Sequence, residues 1–489
     1  MQIADYVVFV AILVSSAAVG FYHACRGGRQ RTNREFLMAD RNMPVFPVAM
    51  SLMATILSAI SILGLTSELY FYGTMYWTII LAYLISITLS STIVLPILYD
   101  LKLTSAYEYL EIRFHKSVRR IASFNAHVQS TIYMGICLYA PSLALEAASG
   151  IKWSHTVLAL GVVCTFYTTI GGMKAVLWTD ALQILVMLGG MLAISLCGCY
   201  ELGGFWNVVH AAKKTNRIDF FDLDADPLKR HSFWSLTFGA SVIWTYNYGS
   251  NQSMVQRYLT CRTKTSAQRA LWINFPGLTV IILVCGFTGL VAFARYQHCD
   301  PLSINLISKN DQILPFYVAD NFGHIPGFTG LCVATIFSAA MSSISSSINA
   351  LAALTLEDFI KPYFKMDFCW GKNRESEDSS VVTKILAVFY GCLAMLIAFA
   401  ASEMENLNQS SSALFGVTGG PIVATFFLGL LFPSANWEGA LAGLIIGVSA
   451  SLHQSIGSIV FRSNSPTPTA LLSTTGCPNA TGSIIVDRN

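Results

Sequence analysis

The chain has 489 residues, of which 54% are hydrophobic and only 12% are charged. A soluble globular domain carries roughly 25% charged residues, since charge covers its surface, so this composition excludes an ordinary soluble protein. The net charge of +3 is too small to indicate a nucleic-acid partner. The composition therefore favours a protein whose surface faces lipid.

The apolar residues cluster into runs of about 20, the length of a helix that crosses a bilayer. A membrane β-barrel would instead need short alternating segments, and runs such as 177–200 do not alternate. The first run, Val7–Phe21, has no basic residues before it and arginines after it, so we interpret it as a mature helix rather than a signal peptide. The sequence predicts an all-α polytopic membrane protein in a lipid bilayer.

Twelve spans are predicted, separated by short polar loops. They cover approximately 5–24, 46–67, 74–99, 121–147, 154–171, 177–200, 233–251, 270–294, 328–350, 382–403, 411–433 and 436–460.

The distribution of basic residues predicts the orientation. With both termini outside, the loops assigned to the cytoplasm hold 19 of the 30 Lys and Arg residues, as the positive-inside rule requires. Two glycosylation sequons, at Asn408 and Asn479, then fall outside, where they can be modified. We expect a multi-pass protein of the plasma membrane with extracellular termini.

The second span carries Thr55, Ser58 and Ser61 in its middle, followed by Gly64. Small hydroxyl residues at helical spacing allow helices to pack closely. The alternative is an unwound stretch whose free carbonyl groups face a cavity. This segment by itself leaves both interpretations open.

The seventh span is also too polar for a helix that faces lipid, because it contains Trp244, Asn247, Tyr248 and Asn251. It begins five spans after the second. Transporters built from inverted repeats often place a broken helix at the same position of each repeat, with the binding site where the breaks meet. The spacing predicts a five-plus-five inverted repeat over spans 2–11.

The ninth span has six serines within ten residues, which include Ser338, Ser342 and Ser343. Hydroxyl and carbonyl oxygens are hard ligands that suit a small dehydrated cation. We interpret this stripe as one side of a Na⁺ site, with a packing face as the alternative.

Few charges lie within the spans, and no Lys or Arg lies in the middle of one. Asp180 is one turn inside the sixth span. It either complements the helix dipole or lies on a cation pathway. Glu68 and Glu146 are expected at solvated helix ends.

Five segments make the chain similar to the sodium/solute symporter family. The sequence is most similar to the branch that holds iodide, multivitamin and monocarboxylate symporters. The segments are the serine-rich second span with SELYFYG, TSAYEYLEIRF at 104–114, GGMKAVLWTDALQ at 171–183, YGSNQSMVQRYL at 248–259 and MSSISSSINALAALTLEDFIKP at 341–362.

This resemblance implies alternating access and a division of the chain into three regions. They are 1–45, the first helix and a cytoplasmic loop; 46–433, the ten-helix transport core with repeats 46–200 and 233–433; and 434–489, the twelfth helix and an extracellular tail. Members of this branch usually carry a thirteenth helix, and the sequence stops at Asn489, in the loop expected before it.

The resemblance also implies the site residues. Na⁺ is expected between the carbonyls of Ala54 and Leu57 and the hydroxyls of Ser342 and Ser343, with Asp180 near its exit route. A third serine ligand of the sugar branch aligns with Ala339, so Thr55 or Ser338 is expected to compensate. The solute is expected to contact five residues, namely Thr55, Ser58, Ser61, Trp244 and Tyr248.

The function expected is Na⁺-coupled import of a small organic anion, either a vitamin such as biotin or pantothenate or a short monocarboxylate. An iodide-type symporter and a transport-dead sensor or channel are the alternatives. We expect no enzymatic activity, since no span carries a HExxH, GxSxG or paired-carboxylate pattern.

Overall fold

The computed structural model describes residues 1–25, 32–226, 229–362, 375–402, 407–460 and 472–477, and within these ranges the chain is helical with no strand. Nine helices there are long and apolar enough to cross a bilayer, and a bent pair adds a tenth. The helices of the first half are α1 (Ile3–Cys25), α2 (Asn33–Met38), α3 (Val45–Ile56), α4 (Ala59–Tyr72), α5 (Ile79–Leu89), α6 (Leu95–Asp100), α7 (Glu108–Arg113), α8 (Lys116–Ser149) and α9 (Trp153–Glu201).

The second half continues with α10 (Phe205–Lys214), α11 (Ala240–Gly249), α12 (Gln252–Tyr258), α13 (Lys264–Tyr296), α14 (Ile313–Phe322), α15 (Phe328–Leu354), α16 (Glu375–Ala401), α17 (Leu407–Leu431) and α18 (Trp437–Val460). Short 3₁₀ or π-helical turns extend several of them, such as Ser235–Gly239 before α11 and Thr355–Ile360 after α15.

The helix α9 contains two of the predicted spans. Its 49 residues would reach about 70 Å as one straight helix, more than twice the ~30 Å hydrocarbon core. At Gly172 the backbone leaves helical geometry, with φ 56° and ψ −165°, a conformation that favours glycine. With α9 divided there, and with α11 and α12 forming one broken span, the described helices correspond to the twelve predicted spans.

The second span is broken, as predicted. Its halves α3 and α4 are bent by 59°. The break occurs because Leu57 leaves helical geometry and Ser58 caps α4 by accepting a hydrogen bond from the Ser61 amide at 3.2 Å. Serine is a favoured N-cap residue because its hydroxyl satisfies an amide that has no partner within the helix.

The seventh span is broken in the same way, between α11 and α12. Ser250 ends α11, and Asn251 caps α12 through a 3.0 Å bond from the Ser253 amide. The predicted end of this span at 251 is therefore wrong, because the span continues as α12 to Tyr258. The polar side chains of Ser250 and Asn251 end one helical segment and begin the next.

The helix α15 lies at the centre of the molecule. In its most apolar window 94% of the residues are buried inside the protein, compared with 17% for α1 and 11% for α18. It therefore packs on protein on all sides, whereas α1 and α18 present most of their surface to lipid. The serine stripe of α15 faces the two broken spans.

Candidate functional site

The break in the second span exposes backbone carbonyl groups to the serines of α15. The Ser58 amide bonds to Ile56 O at 3.1 Å, so it does not take the helical bond to Ala54 O. Instead, Ala54 O accepts a 2.7 Å bond from the Ser342 hydroxyl. The break thus brings together a free main-chain oxygen and a fully buried hydroxyl, both hard ligands for a small cation.

Most hydroxyls of the α15 stripe bond back to their own helix. Ser345 bonds to Ser342 O at 3.1 Å and Ser347 to Ser343 O at 2.9 Å, the usual i−3 or i−4 pattern of helical serines. Ser338 differs, since its buried hydroxyl has no hydrogen-bond partner among the described residues. The stripe is buried among the other helices along its whole length, and Ser342 is the member that bonds to the free carbonyl of the second span.

A cavity of about 100 Å³ lies between the two breaks. The second and seventh spans and α15 form three of its walls, and α8 and α17 contribute polar side chains to the others. Its lining includes Thr55, Leu57 and Ser61 from the second span, Trp244, Asn247 and Asn251 from the seventh, Ser343 and Ser347 from α15, Gln129, Ser130 and Tyr133 from α8, and Ser411, Ser412 and Phe415 from α17.

An ion pair links α12 of the seventh span to α9, and Ser51 connects this pair to α3 of the second span. Arg257 of α12 lies 3.1 Å from Asp180 Oδ2, and both side chains are fully buried. The Ser51 hydroxyl on α3 donates to Asp180 Oδ2 at 2.5 Å and accepts from Arg257 Nε at 2.7 Å. Arg257 also donates to Ser346, so four helices meet at one guanidinium group.

Arg257 corrects the expectation that no Lys or Arg lies in the middle of a span. The sequence predicts a loop at this position because the predicted seventh span ends before α12. Asp180 is paired with Arg257, and its expected role on a cation pathway stays a prediction. Its second carboxylate oxygen, Oδ1, is buried without a hydrogen-bond partner among the described residues.

Residues 36–447 match the sequence model of the sodium:solute symporter family, which is most of the chain. The chain belongs to the sodium:solute symporter family.

Two curated members are similar over nearly the whole chain. Sodium-coupled monocarboxylate transporter 2 of Homo sapiens is 41% identical over 94% of this chain and 73% of its own length. Sodium-dependent multivitamin transporter of Oryctolagus cuniculus is 42% identical over 94% of this chain and 71% of its own length. The predicted family and its branch are confirmed, and the chain is a Na⁺-coupled symporter.

The fold of this symporter is that of a solved relative. A Na⁺-coupled sialic acid symporter in a substrate-bound, outward-open state superposes with a TM-score of 0.79 at 24% identity, over 94% of this chain and 98% of that one. The predicted fold class, an inverted-repeat helical transporter with two broken spans, is confirmed. The bounds given to each repeat and to the flanking regions remain a prediction.

The structure brings some of the predicted site residues together. Leu57 and Ser343 line the cavity with Thr55, Ser61 and Trp244. Ala54 and Ser342 are hydrogen-bonded to each other beside it.

Other predicted residues lie behind the wall of the cavity. Ser58 is buried as the cap of α4, and it interacts with Tyr133 of the lining. Tyr248 is fully buried and donates a 2.6 Å bond to Asn274 on α13. Asp180 is paired with Arg257 and lies outside the lining of the cavity.

The sequence interpretation missed the lining residues from α8 and α17. Gln129 is buried and accepts a 3.0 Å bond from Tyr246. The sequence indicates these positions only weakly. Gln129 is a lone polar residue on an apolar span, and Ser411 and Ser412 belong to a run of serines. Which spans surround the breaks depends on tertiary packing, and that was not apparent from residue spacing.

The end of α4 corrects the interpretation of Glu68 as a solvated helix end. Its side chain is only 6% exposed, and it is paired with Arg230 and His231. A disulfide that was not predicted joins Cys299 to Cys477.

Of the predicted glycosylation sites, Asn479 lies outside the described residues. Asn408 is the second residue of α17.

Proposed function

We propose that this symporter imports a small organic anion with a single carboxylate, and that the cavity between the two breaks is its solute site. Short monocarboxylates are the first candidates, because the relatives named for monocarboxylates include two transporters of Homo sapiens. The relatives named for monocarboxylates and for vitamins favour the same class of anion. The observation that carries the proposal is the contact between Ala54 O and Ser342 Oγ beside this cavity.

Na⁺ is the coupled ion and takes Ala54 O, Leu57 O and the hydroxyls of Ser342 and Ser343 as ligands. The donor set fits, because these are neutral oxygens in a buried setting, where a cation that has lost its water needs such partners. Ser342 Oγ currently donates to Ala54 O at 2.7 Å, and it would turn its proton away to offer a lone pair to the ion.

The solute carboxylate is recognised without a fixed cation in the cavity. The lining residues include no Lys, Arg or His, so hydrogen bonds come from hydroxyl and amide groups such as Ser61, Asn247 and Ser411. A bound Na⁺ then supplies the positive charge. Because each ligand strengthens the binding of the other by the same factor, ion and solute move together.

The ion pair of Arg257 with Asp180, together with Ser51, holds α12, α9 and α3 together on the path toward the cytoplasm. Separating Arg257 from Asp180 would leave two buried charges without partners, which is costly. Na⁺ that passes Asp180 provides the replacement cation for that carboxylate. The pair therefore contributes to the barrier between the solute site and the cytoplasm in the alternating-access cycle.

The plasma membrane, with both termini outside, is the proposed location. The Cys299–Cys477 disulfide supports it, since disulfides persist in oxidising compartments. Cys477 follows α18 in the sequence, and this bond joins it to Cys299 of the loop after α13.

A solute screen tests the proposed function. Cells that express the symporter should accumulate labelled short monocarboxylates such as lactate when Na⁺ is present, and not when it is replaced by choline. Biotin and pantothenate are included in the same screen. Accumulation of a vitamin but of no short monocarboxylate would contradict the proposed substrate.

A further inference from the structure

The second span is joined to the segment that leads into the seventh span by a buried ionic cluster, here called the outer clasp and made of Glu68, Arg230 and His231. Arg230 Nε donates to Glu68 Oε1 at 2.8 Å and Nη2 to Oε2 at 3.1 Å. His231 Nε2 lies 2.9 Å from Oε1. This two-point arginine–carboxylate geometry fixes orientation as well as distance.

The clasp is shielded from water. The side chains of Glu68, Arg230 and His231 are 6%, 22% and 11% exposed. Tyr72 adds a cation–π contact, with the Arg230 guanidinium 4.2 Å from its ring centroid. Exposed ion pairs contribute little, whereas breaking a buried one leaves a charge uncompensated and is strongly unfavourable.

The positions of these residues connect the clasp to the cavity. Glu68 is one turn after Leu65 on α4, and Leu65 lines the cavity. Arg230 and His231 directly precede the turn that leads into α11, which contributes Ile243, Trp244 and Asn247 to the lining. The ring of Tyr76, another lining residue, is 5.4 Å from that of His231.

We infer that Glu68, Arg230 and His231 are positioning residues for the solute site. The clasp fixes the separation between α4 and the start of the seventh span, and with it the separation between the lining residues Ser61 and Trp244. This inference rests on the proposed function, since it takes the cavity as the solute site. None of the three residues lines the cavity, so they act through the helices they join.

The charge state of the clasp supports this role. Burial lowers the pKa of Arg230, but the neighbouring Glu68 carboxylate outweighs it and the net result is a pKa above the usual value for arginine. Arg230 therefore stays charged at every physiological pH, and the clasp does not open by its deprotonation.

Glu68→Gln, Arg230→Gln and the double variant form a double-mutant cycle that tests the clasp. The readout is the half-saturation concentration of a transported monocarboxylate at saturating Na⁺, which does not depend on how much protein reaches the membrane. Each single variant should raise it roughly three- to tenfold. The half-saturation concentration of the double variant should not exceed that of the more impaired single variant, because both changes remove the same contact.

Two further variants complete the experiment. Arg230→Lys keeps the charge but loses the two-point contact, so it should give a smaller increase. It also serves as the test if a glutamine variant does not reach the membrane. Asp100→Asn is the matched control, since it breaks an exposed pair with Lys264 (2.8 Å) whose members do not line the cavity. It should behave as wild type.

The outcomes separate the clasp from the proposed function. A wild type that takes up no monocarboxylate contradicts the proposed substrate. If the wild type transports a monocarboxylate, and Arg230→Lys and the glutamine variants have the same half-saturation concentration as the wild type, the clasp is contradicted and the proposed function is not. The clasp is also contradicted if the increase in half-saturation concentration of the double variant is the product of the two single increases, because the two residues would then act independently.

Discussion

Ser342 and Ser343 are the residues on which the ion site depends most. Replacing both with alanine removes two hydroxyl ligands that a buried cation cannot replace from water. We expect the Na⁺ concentration for half-maximal uptake to rise at least severalfold, measured as uptake against Na⁺ at fixed solute. Thr335→Val is the matched control on α15, because that hydroxyl bonds to Leu331 O at 2.8 Å. Unchanged Na⁺ dependence in the double variant would remove the site assignment.

Asp180 should affect the rate of transport more than the binding of solute. Asp180→Asn preserves the shape of the side chain but leaves Arg257, fully buried, without its counterion. We expect the maximal uptake rate to fall severalfold while the solute half-saturation concentration changes little, since Asp180 lies outside the cavity lining. A large shift in half-saturation with an unchanged maximal rate would show that Asp180 belongs to the solute site.

At the scale of single residues the sequence predicted part of the site. Thr55, Ser61 and Trp244 line the cavity, since polar residues on an apolar span need a polar environment, and their contact with the solute stays a prediction. Arg257 was missed because a basic residue six positions after the break looks like part of a loop. Only the observed continuation of the seventh span as α12 shows that Asp180 neutralises this arginine.

At the scale of helices, both breaks could be predicted from the clusters of Ser, Asn and Gly in otherwise apolar spans. Their positions could not, because several serines in the second span are equally able to cap a helix. The structure selects Ser58 and Asn251 as caps. The choice depends on which amides are left without helical partners, and tertiary packing decides that.

The close approach of α4 and α13 requires glycine at position 289. A Cβ added there would lie 2.2 Å from Thr66 O, a backbone atom. Gly289→Ala should therefore lower the midpoint of thermal unfolding in detergent, by overpacking that typically costs about 1–3 kcal/mol.

Gly443→Ala on α18 is the matched control, since a Cβ there meets nothing within 4 Å. Its midpoint should stay the same or rise, because alanine favours a helix over glycine. Equal midpoints for the two variants would contradict the packing of α4 on α13.

At the scale of the whole molecule, the number of spans and the fold followed from apolar runs and repeat spacing. The two breaks predicted by that spacing lie against the same central helix, α15. The Cys299–Cys477 link was not predictable, because pairing of cysteines far apart in the sequence depends on the path of the chain.

The orientation predicts that an epitope tag after Asn489 is detected on intact cells and that Asn479 carries a glycan. Glycosidase should increase the mobility of the wild type more than that of Asn479→Gln. Detection of the tag only after permeabilisation would contradict the orientation of the helices and the proposed extracellular disulfide.

The central claim is that a Na⁺ gradient drives a short monocarboxylate into the cell through the cavity between the two breaks. Uptake by purified symporter in proteoliposomes, with Na⁺ outside and K⁺ inside, measures it directly. We predict that labelled solute accumulates above its external concentration and is released when an ionophore collapses the Na⁺ gradient. Uptake that only equilibrates, or that continues unchanged with Na⁺ absent, would contradict Na⁺-coupled transport.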